Sequence, residues 1–567
     1  MPTRFRNRFA AAVFCSSLIG LCTPADATTF LLDNVRGYRL DAETGRQTFS
    51  ALYIENGKVR GYDDAARRLA DAGDSERVNG AGKTVLPGLI DSHGHVQGLG
   101  QEKRQIDLRG SSSLADALQR IKQFATQHPG QPGPDARRAQ WLLGRGWNQV
   151  LWQGKQFPTA ADLDAVIADR PVLLERIDGH ASWANSVAMQ RAGITKATPD
   201  PDGGQIIRDR NGNPTGIFID NAMNLLNAHV PATSADERRA QLRDALQALA
   251  ALGMTGVHDA GISPDDYRLY QQLGQQDQLP IRVYAMLADS ADTRKLLNSP
   301  PPAPLFEHRL YLQAVKAWAD GALGSRGAAL MADYSDHPQH RGLLLYSPAQ
   351  LRELTALGVN NGWQMNIHAI GDAGNRLVLD TLADIARDGK AKALRHRIEH
   401  AQVIALADIP RFNAQQVIAS VQPTHATSDM NMAEARVGAE RIKGAYAWRK
   451  LLDAGARLAG GSDFPVELAN PFYGLHAAIT RADRDGQPTG GWYPAEKLSR
   501  DEALRLFTHD AAYAGHMESV TGSLAIGQYA DFIVIDRDYF TVPEHDIADT
   551  QVLSTWVAGR KIYSANQ

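Results

Sequence analysis

The chain has 567 residues, with 43% hydrophobic and 22% charged side chains, the balance of an ordinary globular protein with ample buried core. Its formal net charge is −3 and no basic stripe is present, which argues against a nucleic-acid partner. A barrel of roughly 250 residues would leave room for a second domain.

Residues 1–27 read as a secretory signal peptide. Arg4, Arg6 and Arg8 precede the apolar run AAAVFCSSLIGLC, and Ala25-Asp26-Ala27 supplies an A-x-A cleavage site. The run is far shorter than the ~20 residues that span a bilayer. Cys15 and Cys22 are the two cysteines of the chain, so the mature protein would lack both disulfides and a thiolate metal site. The expectation is a periplasmic or secreted protein with no membrane attachment after cleavage. Association into a homo-oligomer is left open.

Residues 28–85 read as short strands and turns, with Asn56-Gly57 as a tight hairpin turn. The tail 511–567 has similar strands in ADFIVID and TQVLSTWVAG. Neither piece has enough strands to stand alone. The expectation is one small composite β-sandwich from both chain ends.

Residues 86–510 alternate strand-like and helical runs, which predicts a parallel sheet of (β/α)8 type, an α/β fold. ADERRAQLRDALQALAALG is a helix capped by Thr233-Ser234 and stopped by Gly253. NRLVLDTLADIARDG is a helix ending at Gly389, and PAQLRELTALGVNNG is another that precedes it. Residues 100–230 break this rhythm and read as barrel elements carrying an insertion. They hold the tryptophan-rich WLLGRGWNQVLW and a hairpin around Asn211-Gly212-Asn213-Pro214.

Metal-ligand residue types follow short apolar runs in a fixed order. His93 and His95 lie in VLPGLIDSHGHV, Lys316 in YLQAVKAWADG, His368 in QMNIHAIGD, His400 in HRIEHAQ and Asp463 in LAGGSDFP. Polar residues at the C-terminal ends of barrel strands converge on the active face. His-x-His on a strand puts both imidazoles on one side, and neutral imidazole suits Zn2+ and similar ions. The order is that of a two-metal hydrolase. A desolvated lysine beside metal ions has a lowered pKa, and its free amine can take up carbon dioxide as a bridging carbamate. Small residues before Asp463 would let the backbone approach closely.

The set resembles the amidohydrolase superfamily in its two-metal form. PGLIDSHGHV, LGRGWNQVLW, LLERIDGHASWANS, TGVHDAG, KAWADGALGSR, IHAIGD and GSDFPVE are together similar to the branch containing N-substituted formamide deformylases. The resemblance implies that His93, His95 and Asp463 hold the more buried metal and His368 and His400 the more exposed one. A carboxylated Lys316 would bridge them, and both ions would be Zn2+. Asp463 would take the proton from a metal-activated water and return it to the leaving amine.

The expected activity is hydrolysis of a linear amide or N-substituted formamide, with a small-molecule amide as partner. Cyclic amides, esters and deaminable rings remain alternatives on the same centre, and a non-catalytic binding protein a more distant one. His180 and His258 are candidates for contact with substrate or oxyanion, a hydrogen-bonded core place being the equal reading. Trp147 and Trp152 are candidates for an apolar pocket wall, against simple packing. Arg326 is a candidate carboxylate anchor, against a plain salt bridge.

Overall fold

The computed structural model describes residues 29–41, 45–73, 75–129, 141–176, 181–201, 204–324, 326–387 and 389–565. The expected leader lies outside them.

Eight parallel strands form the central sheet: β1 (Leu89–Gly94), β2 (Met254–Ile262), β3 (Arg282–Ala288), β4 (Leu310–Trp318), β5 (Gln364–Ala369), β6 (Arg397–His400), β7 (Ile418–Val421) and β8 (Leu458–Gly460). Each pairs with its sequence neighbour in parallel register. β8 returns to β1 through side chains and loop backbone. Ser92 Oγ donates to Gly460 O at 2.7 Å, and the N–H of Asp463 donates to His93 O at 2.7 Å. The sheet is therefore a nearly closed (β/α)8 barrel. Its strands are buried along almost their whole length, as a parallel sheet covered by helices requires.

The helices follow local chemistry. Ser234 accepts from the N–H of Glu237 and starts Ala235–Ala251, which turns into β2 just past Gly253. Ser347 and Gln350 form a capping box at the head of Pro348–Asn360. The helix after β5 runs Asp372–Ile385, short of the expected stop at Gly389. Inside the barrel, Ile90, Ala260, Tyr284, Met286, Tyr311 and Ala314 form an apolar cluster with Ala511, Ala512 and Met517.

Both chain ends share one eight-stranded sheet. Thr84–Pro87 pairs antiparallel with Phe532–Ile535 and parallel with Phe30–Asp41. Asn56 and Gly57 both take positive φ, 53° and 71°, as a type I′ hairpin between Gly45–Glu55 and Lys58–Tyr62 requires. The rings of Phe30 and Trp556 lie 5.2 Å apart, although two strands separate theirs in the sheet. A flat sheet would hold them roughly 14 Å apart at about 4.8 Å per strand. The sheet therefore curls around its own core of Leu32, Phe49, Leu52, Ile54, Val85 and Phe532.

The stretch between β1 and β2 supplies no barrel strand among the described residues. Instead it builds a separate six-stranded sheet in the order Gly204–Arg208, Pro214–Asp220, Ala181–Ala184, Val172–Arg176, Leu142–Trp147, Ile106–Asp107. The expected hairpin around residues 211–214 is part of it. The expectation of barrel elements within residues 100–230 is corrected. Three of these strands pair in parallel and so mimic the barrel's rhythm in sequence.

Candidate metal centre

The C-terminal ends of the barrel strands open into a cavity of about 410 Å3 lined by His93, His95, Lys316, His368, His400 and Asp463. The six residues that sequence places in one ordered set thus share one cavity. His425, which sequence reasoning missed, lines it as well. It sits in the helix Pro423–Asp429 directly after β7. The signal was present: His425 follows the apolar run VIASV within four residues, as the other candidates follow theirs.

Two groups of donors have geometry suited to an ion. His93, His95 and Asp463 form one, and His400, His425 and Asp463 the other, with the donor atoms of each group within 4.8 Å of one another. Asp463 belongs to both. The second group pairs His400 with His425, whereas the resemblance pairs it with His368. The His368 ring is nonetheless 4.5 Å from that of His400.

Backbone conformation brings these side chains inward. His400 and Asp463 have φ of 73° and 61°, left-handed values that cost a non-glycine residue energy and that cluster at functional sites. Asp91 fastens the first and last strands together. Its carboxylate accepts from the N–H of His93 at 2.9 Å, and from Ser462 N–H and Oγ. A Cβ on Gly461 would lie 2.6 Å from both Asp91 Oδ1 and His93 N, so the close approach expected before Asp463 depends on that glycine.

Hydrogen bonds fix which nitrogen of three histidines faces the cavity. His95 Nδ1 donates to Ala260 O at 2.8 Å, and His400 Nδ1 to Gln422 Oε1 at 2.8 Å. His93 Nδ1 donates to Glu399 Oε2. Each leaves Nε2 with a lone pair, the arrangement of a metal-ligating histidine oriented by an outer partner. Burial, then the Lys316 charge, pushes His93 down to about 4 and His368 down to about 3. Burial also holds His400 well below its ordinary value. Each shift favours the neutral imidazole that ligation requires.

Lys316 is buried, with Nζ 3.0 Å from His93 Nε2. Burial lowers its pKa to about 8, against the opposing pull of Glu399 and Asp463. Burial alone would raise Asp463, but the imidazoles of His95, His93, His400 and His425 around it hold it well below the usual carboxylate range.

The residues present fit a cation. His95 Nε2 stands 3.1 Å from Asp463 Oδ1, so a lone pair faces a carboxylate oxygen. Asp463 Oδ1, His368 Nε2 and His425 Nε2 are buried without a hydrogen-bond partner. Such groups cost about 1–3 kcal/mol each if nothing satisfies them. Imidazole and carboxylate donors suit zinc-class ions.

Beneath this floor lies a charged network. Arg397 is fully buried; it donates to Ser92 O at 2.5 Å, Glu399 Oε2 at 3.0 Å and Ser420 Oγ at 2.9 Å. It also donates to His258 Nδ1 at 2.9 Å. The lone pair of His258 is thereby committed. Burial, then the Arg397 charge, holds its pKa well below the ordinary value. His258 does not line the cavity, and its reading as a catalytic residue is corrected: it holds Arg397, which holds Glu399. On the other side, Asp320 accepts backbone N–H bonds from Ile370, Gly371 and Ala329 at 2.8–2.9 Å. Its Oδ1 is 3.5 Å from His368 Nε2.

Two further readings are corrected. Trp147 is fully buried in the insertion core, its Nε1 donating to Leu174 O at 2.9 Å, and its ring 6.2 Å from that of Trp183. Trp152 is buried beside it and donates to Ser111 O. Arg326 makes a two-bond bridge to Asp336 at 2.8 and 3.1 Å, so its guanidinium is engaged away from the cavity wall. His180 lies outside the described residues.

Known proteins agree with this architecture. Residues 76–563 match the model of the amidohydrolase family. Protein LONG AFTER FAR-RED 3 of Arabidopsis thaliana is 34% identical, over 97% of this chain and 94% of its own. The N-substituted formamide deformylase of Arthrobacter pascens is 28% identical, over 90% and 94%. An uncharacterized metal-dependent hydrolase from Pyrococcus furiosus superposes with a TM-score of 0.74 at 27% identity, over 90% of this chain and 100% of its own. The chain belongs to the amidohydrolase family and is a metal-dependent hydrolase acting on carbon–nitrogen bonds.

Proposed function

We propose that this chain hydrolyses a linear amide or N-substituted formamide of small size, with two divalent ions, Zn2+ for preference, and a carboxylated Lys316 between them. The observation that carries the reading is the sharing of Asp463 by two donor groups on one cavity floor. The deformylase relative supports the bond type. His93, His95 and Asp463 would hold one ion. His400, with His368 or His425, would hold the other.

Divalent metal, when bound, supplies Lewis-acid activation of water and of the substrate carbonyl. Asp463, at the junction of both groups, accepts the proton of the attacking water and returns it to the departing amine. Glu399 and Arg397 keep His93 in the tautomer that presents Nε2. Trp318, Leu323 and Ile370 line the same cavity and exclude bulk water from one side. The leader sequence supports action in the periplasm or outside the cell.

The test is metal content of the purified mature protein together with amine release from a panel of N-formyl and N-acyl amines. About two ions per chain plus amine release is the expected outcome. Metal without amine release would move the reading to esters, cyclic amides or deamination. No metal, even after reconstitution with bicarbonate, would overturn the ligand assignment.

A further inference from the structure

Beyond its metal donors, the cavity is two-faced. The side nearest β4 and β5 is apolar, made by Trp318, Ala322, Leu323 and Ile370. A second part of the wall, on the segments that follow β6, β7 and β8, carries Gln402, Ser428, Asp429 and Glu467, with Val466 as its apolar member. Two of these are carboxylates, and neither forms an ion pair among the described residues. Asp429 Oδ2 accepts from Gln402 Nε2 at 3.1 Å and from Tyr446 OH at 2.7 Å. Glu467 Oε1 accepts from Ser428 Oγ at 2.6 Å. Neutral donors thus fix both groups in place and leave the charge uncompensated.

Apart from Lys316 on the floor, no lysine or arginine lines the cavity among the described residues. Arg484 lines an adjoining cavity of about 180 Å3 that shares Ser428 and Glu467. Its guanidinium, however, lies 4.5 Å over the Tyr473 ring. Arg326, the expected carboxylate anchor, is bound to Asp336. Anchoring a substrate carboxylate takes a cationic donor, and this wall offers the opposite sign.

We propose that Asp429 and Glu467 form a cation-selecting wall, so that the substrate is an amide whose nitrogen substituent carries an ammonium group on an apolar chain. The class is that of mono-acylated diamines. N-acyl amino acids and dipeptides, which carry a carboxylate, are disfavoured by the same wall. The inference rests on the amide-hydrolase reading for its chemistry, but the wall itself is a property of the cavity. The apolar face takes the methylene chain, while the two carboxylates meet the ammonium away from the donor-lined floor, where bound metal would repel it.

The experiment compares three formamides of matched length with the metal-replete enzyme: N-formyl-1,4-diaminobutane, N-formylpentylamine and N-formyl-4-aminobutanoate. The expected order of kcat/KM is cationic, neutral, anionic, with the cationic substrate ahead of the neutral one by roughly tenfold, the scale of one charge-assisted hydrogen bond. Glu467→Gln and Asp429→Asn, which keep shape and hydrogen bonding, are each expected to shrink the cationic-to-neutral ratio several-fold. Equal rates for the three, or a lead for the anionic substrate, would overturn the proposal. So would a ratio that both variants leave unchanged. If none of the three is hydrolysed, the amide reading fails separately, and calorimetry with 1,4-diaminobutane decides the wall. Binding weakened by both variants sustains it, and no binding overturns it.

Discussion

The histidine floor of the barrel and the tryptophan core of the insertion are both buried, ring-rich clusters, and they differ in one respect. Every indole N–H followed in the insertion has a partner: Trp147 on Leu174 O, Trp152 on Ser111 O and Trp183 on Thr159 O. The floor keeps Asp463 Oδ1, His368 Nε2 and His425 Nε2 buried without one. A core built for stability satisfies its polar atoms, since an unmet group forfeits its full hydration. The floor leaves such atoms converging on one cavity. Convergence of unmet polar groups on one cavity, rather than aromatic richness, distinguishes the site from the packing.

That contrast can be broken by substitution. Asp463→Asn is expected to lower kcat by roughly 10^3-fold or more, within reach of what general acid–base catalysis and metal positioning supply together. Its thermal midpoint should stay close to that of the parent, measured on metal-free protein. Near-full activity would remove Asp463 from proton transfer.

Trp147→Ala should do the reverse. A loss of about 3–5 kcal/mol of stability in denaturant unfolding is expected for a buried aromatic, with little change in KM for the protein that remains folded. A raised KM without destabilisation would return Trp147 to the pocket wall.

Glu399→Gln should sharpen the boundary between the two kinds of burial, because Glu399 is held by Arg397 as a packed core group is and yet serves the floor through His93. Metal affinity is expected to fall about 10–100-fold, the usual cost of losing a partner behind a ligating histidine. Competition with a chelator reads it. Unchanged affinity would reduce Glu399 to an ordinary buried ion-pair member.

A surface pair supplies the scale of a feature belonging to neither cluster. Glu502 caps Arg500–Leu506 through Ser499 and bonds to Arg449. Although burial opposes it, these partners depress its pKa from 4.5 to about 2. A group depressed in the folded state stabilises above its unfolded pKa, and the gain fades as pH falls through the folded value. Glu502→Gln should therefore cost about 1 kcal/mol or less near neutrality. Its unfolding curve should converge with that of the parent between about pH 4.5 and 2.

The barrel's ligands were legible because each follows a short apolar strand, and the strand ends all face one way. His93 and His95 needed only the two-residue period. The partnership of Glu399 with His93 was not legible: Glu399 lies beside His400 in sequence, and only closure of the barrel carries it across to β1. His425 obeyed the same sequence rule as its neighbours but lacked a strand-end position, sitting in the first turn of the helix that follows β7. The insertion misled for a specific reason. Its parallel strands Leu142–Trp147 and Val172–Arg176 have the same apolar pattern as barrel strands, and periodicity does not reveal which sheet a strand joins. The tryptophans misled because composition does not separate a pocket wall from a packed core.

The pairing of Val85 with Val534 has a bearing on biosynthesis. The first strands emerge from the ribosome long before their partners exist, so the terminal sheet assembles only after the entire barrel has been made. A prematurely stopped chain would present Thr84–Pro87 as a bare edge, the kind of surface that templates aggregation. In the folded protein that edge is covered by Phe532–Ile535. A circular permutant in which a linker carries the chain from residue 565 to residue 29, opened in a surface loop of the insertion, would have both halves of the sheet translated together.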